Sequence, residues 1–460
     1  MDNTTQKLYN FIAQLCSEVI NSCPEEFFVN YSCISLDEKA ELYSKIKNQV
    51  PALERQLNDQ DFDDAFFNKL DDVVHSFTMP DGQKDFYGIV ALIQLLDDGL
   101  HTILISQIKD FQEDDFVVVL NSNRETTGIG LLPRCSCAWE RKHRLSHSYN
   151  RLDNFLFNFL LLENKILGEL IDKHFFLKKD LFSDFETKRY LTIAATPLTQ
   201  QREFGVATSI NERIQVFDIT YEKKDYTQDN ELVWKKIELS AKNKSDIILF
   251  PEMLGNPTLE EYISTKLKDL SDSERTNYPS MIILPSFWNK GKNSVSILDR
   301  HGNVLCRQLK QNPFRIEANG QGYLENIKSS NVVNIFHFEG IGRIAILICK
   351  DFLTTKYMEQ LMRCFKLTLI IVPSFSTGSY DFLRSFDLCA HDDCNVIWIN
   401  TCAAMEKGKE SNFENIGYIR KRISRTDDEA QMLCKMPACQ NAFEHKCQKD
   451  CIFIEKINAI

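Results

Sequence analysis

The chain has 460 residues, 43% hydrophobic and 26% charged, enough for two or three globular domains of ~100–200 residues each. No stretch reaches the ~18 consecutive apolar residues of a membrane span, and the longest, Phe86 to Leu96, is cut by Asp97-Asp98. Fifteen cysteines, an odd number at irregular spacings, argue for reduced thiols over a secreted disulfide scaffold, and with no basic leader in Met-Asp-Asn-Thr-Thr-Gln the expected compartment is the cytoplasm.

Net charge is −11, but residues 1–185 carry −12 and the remainder +1. An acidic first part speaks against nucleic acid as its partner and suggests a separate module. Its pattern reads as mostly helical. Leu8, Phe11, Ile12, Leu15, Cys16, Val19 and Ile20 keep the i, i+3, i+4 spacing of one helix face. Ser35 with Glu38 has the form of a capping box. Phe66, Leu70, Val73, Val74 and Phe77 form another stripe. Leu152, Phe155, Leu156, Phe159 and Leu160 predict a long helix running to about His174. Phe116-Val-Val-Val-Leu120 predicts one strand.

After Phe185 short β-branched runs recur with helical stretches between them. Strands are predicted at Tyr190–Ala195, Asp246–Phe250, Met281–Leu284, Ser294–Leu298, Val332–Phe338, Arg343–Ile348, Leu367–Val372 and Asn395–Asn400. This alternation implies α/β layers, and the nearly continuous apolar runs imply strands covered on both faces. The expected organisation is a mainly helical acidic domain over 1–185 and an α/β domain over 186–460 ending in a Cys-rich tail.

Three polar residues stand near the carboxyl ends of these strands. Glu252 ends Asp246-Ile-Ile-Leu-Phe-Pro-Glu252, Lys310 follows the strand-like run to Leu309, and Cys349 ends Arg343-Ile-Ala-Ile-Leu-Ile-Cys349. A thiol needs a base to become a good nucleophile. Glu252 can supply it, Lys310 can stabilise a tetrahedral oxyanion, and the Lys350 backbone N–H can join it. Singly, each has a plainer reading: a buried small residue, a loop carboxylate, a surface lysine. Their order and context together point to hydrolysis of C–N bonds.

Residues 189–430 resemble the nitrilase, or carbon–nitrogen hydrolase, superfamily. Tyr190-Leu-Thr-Ile-Ala-Ala is similar to its first strand, Ser245-Asp-Ile-Ile-Leu-Phe-Pro-Glu-Met-Leu-Gly255 to its glutamate motif, Arg307-Gln-Leu-Lys-Gln-Asn-Pro-Phe314 to its lysine motif, and Ile346-Leu-Ile-Cys-Lys-Asp351 to its cysteine motif. Leu367–Ser374 and Asp387–Asn400 resemble the segments that follow. The resemblance implies a four-layer α-β-β-α sandwich, a homodimer, and roles for Glu252 as base, Lys310 as oxyanion stabiliser and Cys349 as nucleophile. It implies a second glutamate after the lysine, for which Glu317 is the best match. Beside the triad, Lys350 and Asp351 are candidate supporting residues, Lys350 through the thiol pKa or an acidic substrate. The expected substrate is a small amide or nitrile, cleaved through a thioester or thioimidate without a cofactor. Three departures bear on the pocket: Lys350 stands where the family has an aromatic residue, Leu353-Thr-Thr-Lys356 replaces its Arg-Phe-Pro-Glu stretch, and Asn312 stands in place of a histidine. They keep open a second class of function, a scaffold or sensor that has lost catalysis and meets a protein partner through the N-terminal domain, as nitrilase-like domains do in bacterial defence assemblies.

Two clusters carry ligand types that suit zinc, Cys135/Cys137/His143/His147 and Cys434/Cys439/Cys447/Cys451 with His445, but their spacings depart from the usual pattern and ordinary reduced cysteines are the plainer reading, so no metal is assigned. Two basic clusters, Arg134/Arg141/Lys142/Arg144 and Arg420/Lys421/Arg422/Arg425, could meet phosphate or the acidic N-terminal face. They lack the interleaved aromatics of a nucleic-acid site.

Overall fold

The computed structural model describes residues 3–60, 62–114, 124–140, 151–199, 204–221, 225–318, 320–405, 414–422, 432–438 and 451–458. The strand predicted at Phe116–Leu120 lies outside them.

Two sheets form the centre of the α/β part. The first runs Val304–Leu309, Lys292–Asp299, Met281–Ile283, Ile247–Leu249, Tyr190–Ala195, Phe453–Asn458. The second runs Leu433–Pro437, Asn415–Arg420, Asn395–Ile399, Leu369–Pro373, Gly342–Ile346, Val332–Phe338, Ile171–Phe176. Side chains alternate across a strand, and the first sheet shows the consequence. Ile193, Ile247, Leu249, Met281, Ile283, Val295 and Ile297 point into the main core shared with the second sheet. Ala194, Ile248, Ile282 and Leu298 point outward, onto Val233 and Ile237 of helix Thr227–Lys242 and Leu259, Ile263 and Leu267 of helix Leu259–Lys268. The second sheet is covered by helices Thr355–Phe365 and Tyr380–His391 through Tyr357, Met358, Leu361, Phe382 and Phe386. The result is the four-layer α-β-β-α sandwich expected from the sequence. A small third sheet, Arg315–Ala318, Gln321–Glu325, Ile214–Tyr221, Phe204–Asn211, carries Phe217 and Ile219, which pack with Met253 and Trp288.

The first part of the chain is mainly helical. Eight described helices, among them Asn3–Ser22, Leu36–Gln49 and Phe86–Gly99, precede its first described strand. The predicted faces are buried at Leu8, Ile12, Leu15, Cys16 and Val19, and at Phe66, Leu70, Val73 and Phe77. Ser35 and Glu38 close the capping box in both directions. No single described helix is long and apolar enough to cross a membrane.

The long helix expected over 152–174 is instead a short 3₁₀ turn at Leu152–Phe155, a strand at Phe159–Glu163, a helical turn at Asn164–Leu167 and a strand at Ile171–Phe176. The helical spacing was equally consistent with the unbroken apolar run Phe159–Leu162, which pairs antiparallel with Ile129–Pro133. That ribbon is a seam. Ile129, Leu131, Phe159 and Leu161 face the helical core, while Leu132, Leu160 and Leu162 face the sandwich core. The border drawn at 185/186 falls after Ile171–Phe176, which is already the edge strand of the second sheet, parallel to Val332–Phe338.

Candidate active site

Glu252 and Cys349 lie just beyond parallel strands of opposite sheets, where substrates of α/β folds bind. One short stretch brings them together. The Glu252 N–H donates to Ser374 O at 3.3 Å, and the Cys349 N–H donates to Pro373 O at 3.0 Å. Lys310 follows Val304–Leu309, the edge strand of the first sheet, and its N–H donates to Asn293 O at 2.8 Å.

The side chains converge. Lys310 Nζ lies 2.9 Å from Glu252 Oε1 and 2.7 Å from Glu325 Oε2. Asn293 Nδ2 donates to Glu252 Oε1 at 2.8 Å, and the Phe375 N–H donates to Oε2 at 3.0 Å. The Cys349 thiol lies close enough to the Glu252 carboxylate and the Phe375 N–H for both to act on its pKa. Glu252, Lys310, Glu325 and Cys349 are all buried.

Cys349 sits at φ 47°, ψ −99°, between strand Gly342–Ile346 and helix Lys350–Leu353. A non-glycine residue there stores roughly 1–3 kcal/mol of strain, of the kind that functional sites retain. A sharp strand-to-helix turn also pushes the side chain forward, as nucleophile elbows do.

The charges are unbalanced, two carboxylates to one ammonium. Burial opposes the charge on Lys310, but Glu252 and Glu325 raise its pKa well above the usual lysine range. Burial and the Glu252 charge push Glu325 up despite Lys310. For Cys349, burial comes first and Glu252 second, and together they outweigh Lys310, so the thiol is held well above the ordinary cysteine range. The resting sulfur is a protonated thiol pointed at a carboxylate.

Asp351 ties the turn to the lysine loop. It accepts the Gln311 N–H at 3.0 Å, the Asn312 N–H at 2.7 Å and Asn312 Nδ2 at 2.9 Å. Burial raises its carboxyl to about 7 against these donors. Asn312, in the place of the expected histidine, is therefore part of that clasp. Lys350 opens the helix of the turn and is half-buried.

Glu317 is elsewhere. It is largely exposed and pairs with Arg315 at 3.2 Å on strand Arg315–Ala318. The carboxylate on Lys310 is Glu325, at the end of the paired strand Gln321–Glu325, and its Oε2 also accepts the Phe314 N–H at 2.8 Å. Proximity in sequence favoured Glu317, whereas the strand-end position of Glu325 in Gly322-Tyr-Leu-Glu325 was the available signal. Asn293 and Phe375 also went unseen, the second because it acts through its backbone. A cavity of about 230 Å³ lies beside Met253, walled by Phe204, Tyr221, Tyr226 and Leu254.

The other candidates disperse. Cys135 is buried and Cys137 partly so, while His143 and His147 lie outside the described residues. Cys434 and Cys451 are described, but Cys439, His445 and Cys447 are not. Among the described residues no group of three His, Cys, Asp or Glu side chains is placed to hold a metal. Arg134 is spent on Glu140 at 2.6 Å and Arg420 on Asp387 at 3.0 Å, while Arg141, Lys142, Arg144 and Arg425 lie outside the described residues.

No family model matches the chain, and no curated protein is significantly similar to it. Solved structures that resemble it are nitrilase-superfamily proteins. They include the NitFhit protein of C. elegans (13% identity, TM-score 0.37, 59% of this chain and 61% of that one). Nit3 of Saccharomyces cerevisiae, a member of branch 10 of that superfamily, is 10% identical with a TM-score of 0.36, over 59% of this chain and 90% of its own. A mutant amidase from Nesterenkonia sp. AN1 in complex with butyramide is 12% identical with a TM-score of 0.32, over 58% and 91%. The chain thus spans about 61% of the length of NitFhit. At these scores the functional reading rests on the geometry of the site.

Proposed function

We propose that the protein is a cysteine-dependent hydrolase of a non-peptide C–N bond. The observation that carries this is the buried convergence of a thiol with a carboxylate that is ion-paired to an ammonium, around one strained turn. Because the resting thiol is protonated, Glu252 takes its proton as the sulfur–carbon bond forms. The substrate's carbonyl or nitrile group gains negative charge, which the Lys310 ammonium and the Lys350 backbone N–H stabilise. From an amide intermediate, Glu252 returns the proton to nitrogen, the C–N bond breaks, and ammonia or an amine leaves a thioester on Cys349. Water then attacks, giving its proton to Glu252, and the thiol is released with a carboxylic acid. Glu325 holds Lys310 in place and offsets its charge.

The test does not require the natural substrate. A haloacetamide at neutral pH, followed by peptide mass mapping, should label Cys349 faster than the exposed Cys33, and Glu252→Gln should abolish that advantage. Cys33 labelled with Cys349 untouched would reject the hydrolase and leave a catalytically silent scaffold as the reading.

A further inference from the structure

We infer that Asn293 sets the substrate class: its side-chain oxygen accepts an N–H of the bond to be cleaved, so the site takes carboxamides bearing N–H in preference to nitriles or esters. This rests on the hydrolase reading above and deepens it.

Asn293 is 1% exposed. The register that pairs Ser294 with Leu309 sets it opposite Lys310, and residues opposite one another project from the same face of a sheet. It also shares the parity of Val295 and Ile297, which point into the space between the sheets. Its side chain thus lies with the ammonium on the inner face. The identity of its two terminal atoms follows from chemistry. The atom 2.8 Å from Glu252 Oε1 must be a donor, because a carboxylate oxygen held by Lys310 only accepts. That makes it Nδ2 and leaves Oδ1 as the other atom. Oδ1 is buried and has no hydrogen-bond partner among the described residues.

An unmet buried acceptor is destabilising, so a ligand that brings a donor to it recovers that loss on binding. A nitrile and an ester bring acceptors only. A carboxamide brings a carbonyl oxygen for Lys310 and an N–H for Oδ1. A site built around an acceptor rejects analogues that lack the matching donor, because the acceptor is then buried unpaired. The same contact holds the amide nitrogen near Glu252, which must protonate it as the C–N bond breaks.

The experiment compares alkylation of Cys349 by iodoacetamide and iodoacetonitrile, each rate divided by that for glutathione. In the wild-type protein the normalised amide-to-nitrile ratio should be roughly 3- to 10-fold above one, the worth of a single neutral hydrogen bond. Asn293→Leu should bring it to one. Asn293→Asp retains an acceptor oxygen and should keep the preference while lowering both rates. A wild-type ratio of one, or an undiminished ratio in Asn293→Leu, overturns the inference even where Cys349 reacts rapidly with both reagents and the hydrolase reading stands. Failure of both reagents to label Cys349 in the wild type defeats the hydrolase reading itself. The wild-type ratio decides if Asn293→Leu does not fold.

Discussion

Two buried charge clusters in this molecule use similar residues to opposite ends. At the seam between the helical and α/β parts, Arg343 is fully buried and every one of its donor nitrogens is engaged. Nε and Nη2 reach Lys366 O at 3.0 and 2.7 Å, Nη1 reaches Cys135 O at 2.9 Å, and Nη2 also meets Glu140 at 2.9 Å. Lys366 in turn donates to Asp153 O at 2.6 Å and Asn154 Oδ1 at 3.1 Å. Cations there are divided between backbone carbonyls and the carboxylates of Glu140 and Asp153. At the candidate site the ammonium meets two carboxylates, a thiol stands beside them on a strained backbone, and the Asn293 amide oxygen is without a hydrogen-bond partner among the described residues. The first cluster buries a guanidinium with every donor engaged, whereas the candidate site gathers a thiol, an ammonium and two carboxylates, groups that can exchange protons.

The largest expected effect separates the two clusters by observable. Cys349→Ala should lower turnover of any substrate found by on the order of 10⁴–10⁶-fold, as loss of a covalent nucleophile does, with thermal stability near wild type. Arg343→Met should do the reverse. It takes from Glu140 one of its two cations, Arg134 remaining at 2.6 Å, leaves the carbonyls of Cys135 and Lys366 without that donor, and should cost about 1–3 kcal/mol, read by urea unfolding. If Arg343→Met is as stable as wild type, the seam is not the structural clasp described above.

A second comparison is internal to the site. Glu325→Gln should lower turnover by about 10²-fold through misplacement of Lys310, with little change in fold. Glu317→Gln, altering an exposed residue, should leave activity unchanged and stability within about 0.5 kcal/mol. Steady-state kinetics on the two variants decides between the carboxylates, and equal losses would mean that Lys310 depends on both.

That contrast also shows what the sequence could carry. The eight strands read after Phe185 recur within one or two residues at each end, because buried β-branched runs have one physical use. Glu252 and Cys349 were legible since each follows such a run, and Lys310 since it follows the strand-like run to Leu309. Glu325 was not, because strands Arg315–Ala318 and Gln321–Glu325 are half-exposed and carry no apolar period. The same holds for hairpin Phe204–Tyr221, whose strands Phe204–Asn211 and Ile214–Tyr221 face solvent over much of their length. Phe453–Asn458 went unread for another reason: its place beside Tyr190–Ala195 is a pairing across some 260 residues, which local pattern does not encode.

The smallest expected effect returns to the seam and to pH. His174 Nδ1 and His337 Nε2 lie 2.9 Å apart between the edge strand Ile171–Phe176 and its neighbour Val332–Phe338, His174 Nε2 meets Asp172 at 2.9 Å, and Arg124 grips the same carboxylate. Burial first, then His174 and Arg343, hold the His337 pKa well below the usual histidine value. On acidification the unfolded chain therefore takes up a proton near pH 6.5 that the folded chain refuses. The stability contributed by neutral His337 is complete above that pH and is lost as pH falls below it. The loss should amount to about 1.4 kcal/mol between pH 7.5 and 5.5, one pKa unit's worth below the unfolded value. Asp172, held low by the His174 hydrogen bond and the Arg124 charge despite its burial, adds a further loss only under more acidic conditions, below the ordinary aspartate range. Urea unfolding at the two pH values measures the first loss, and His337→Gln should flatten the slope. An equal slope in that variant would assign the titration to other groups and leave the histidine pair as packing alone.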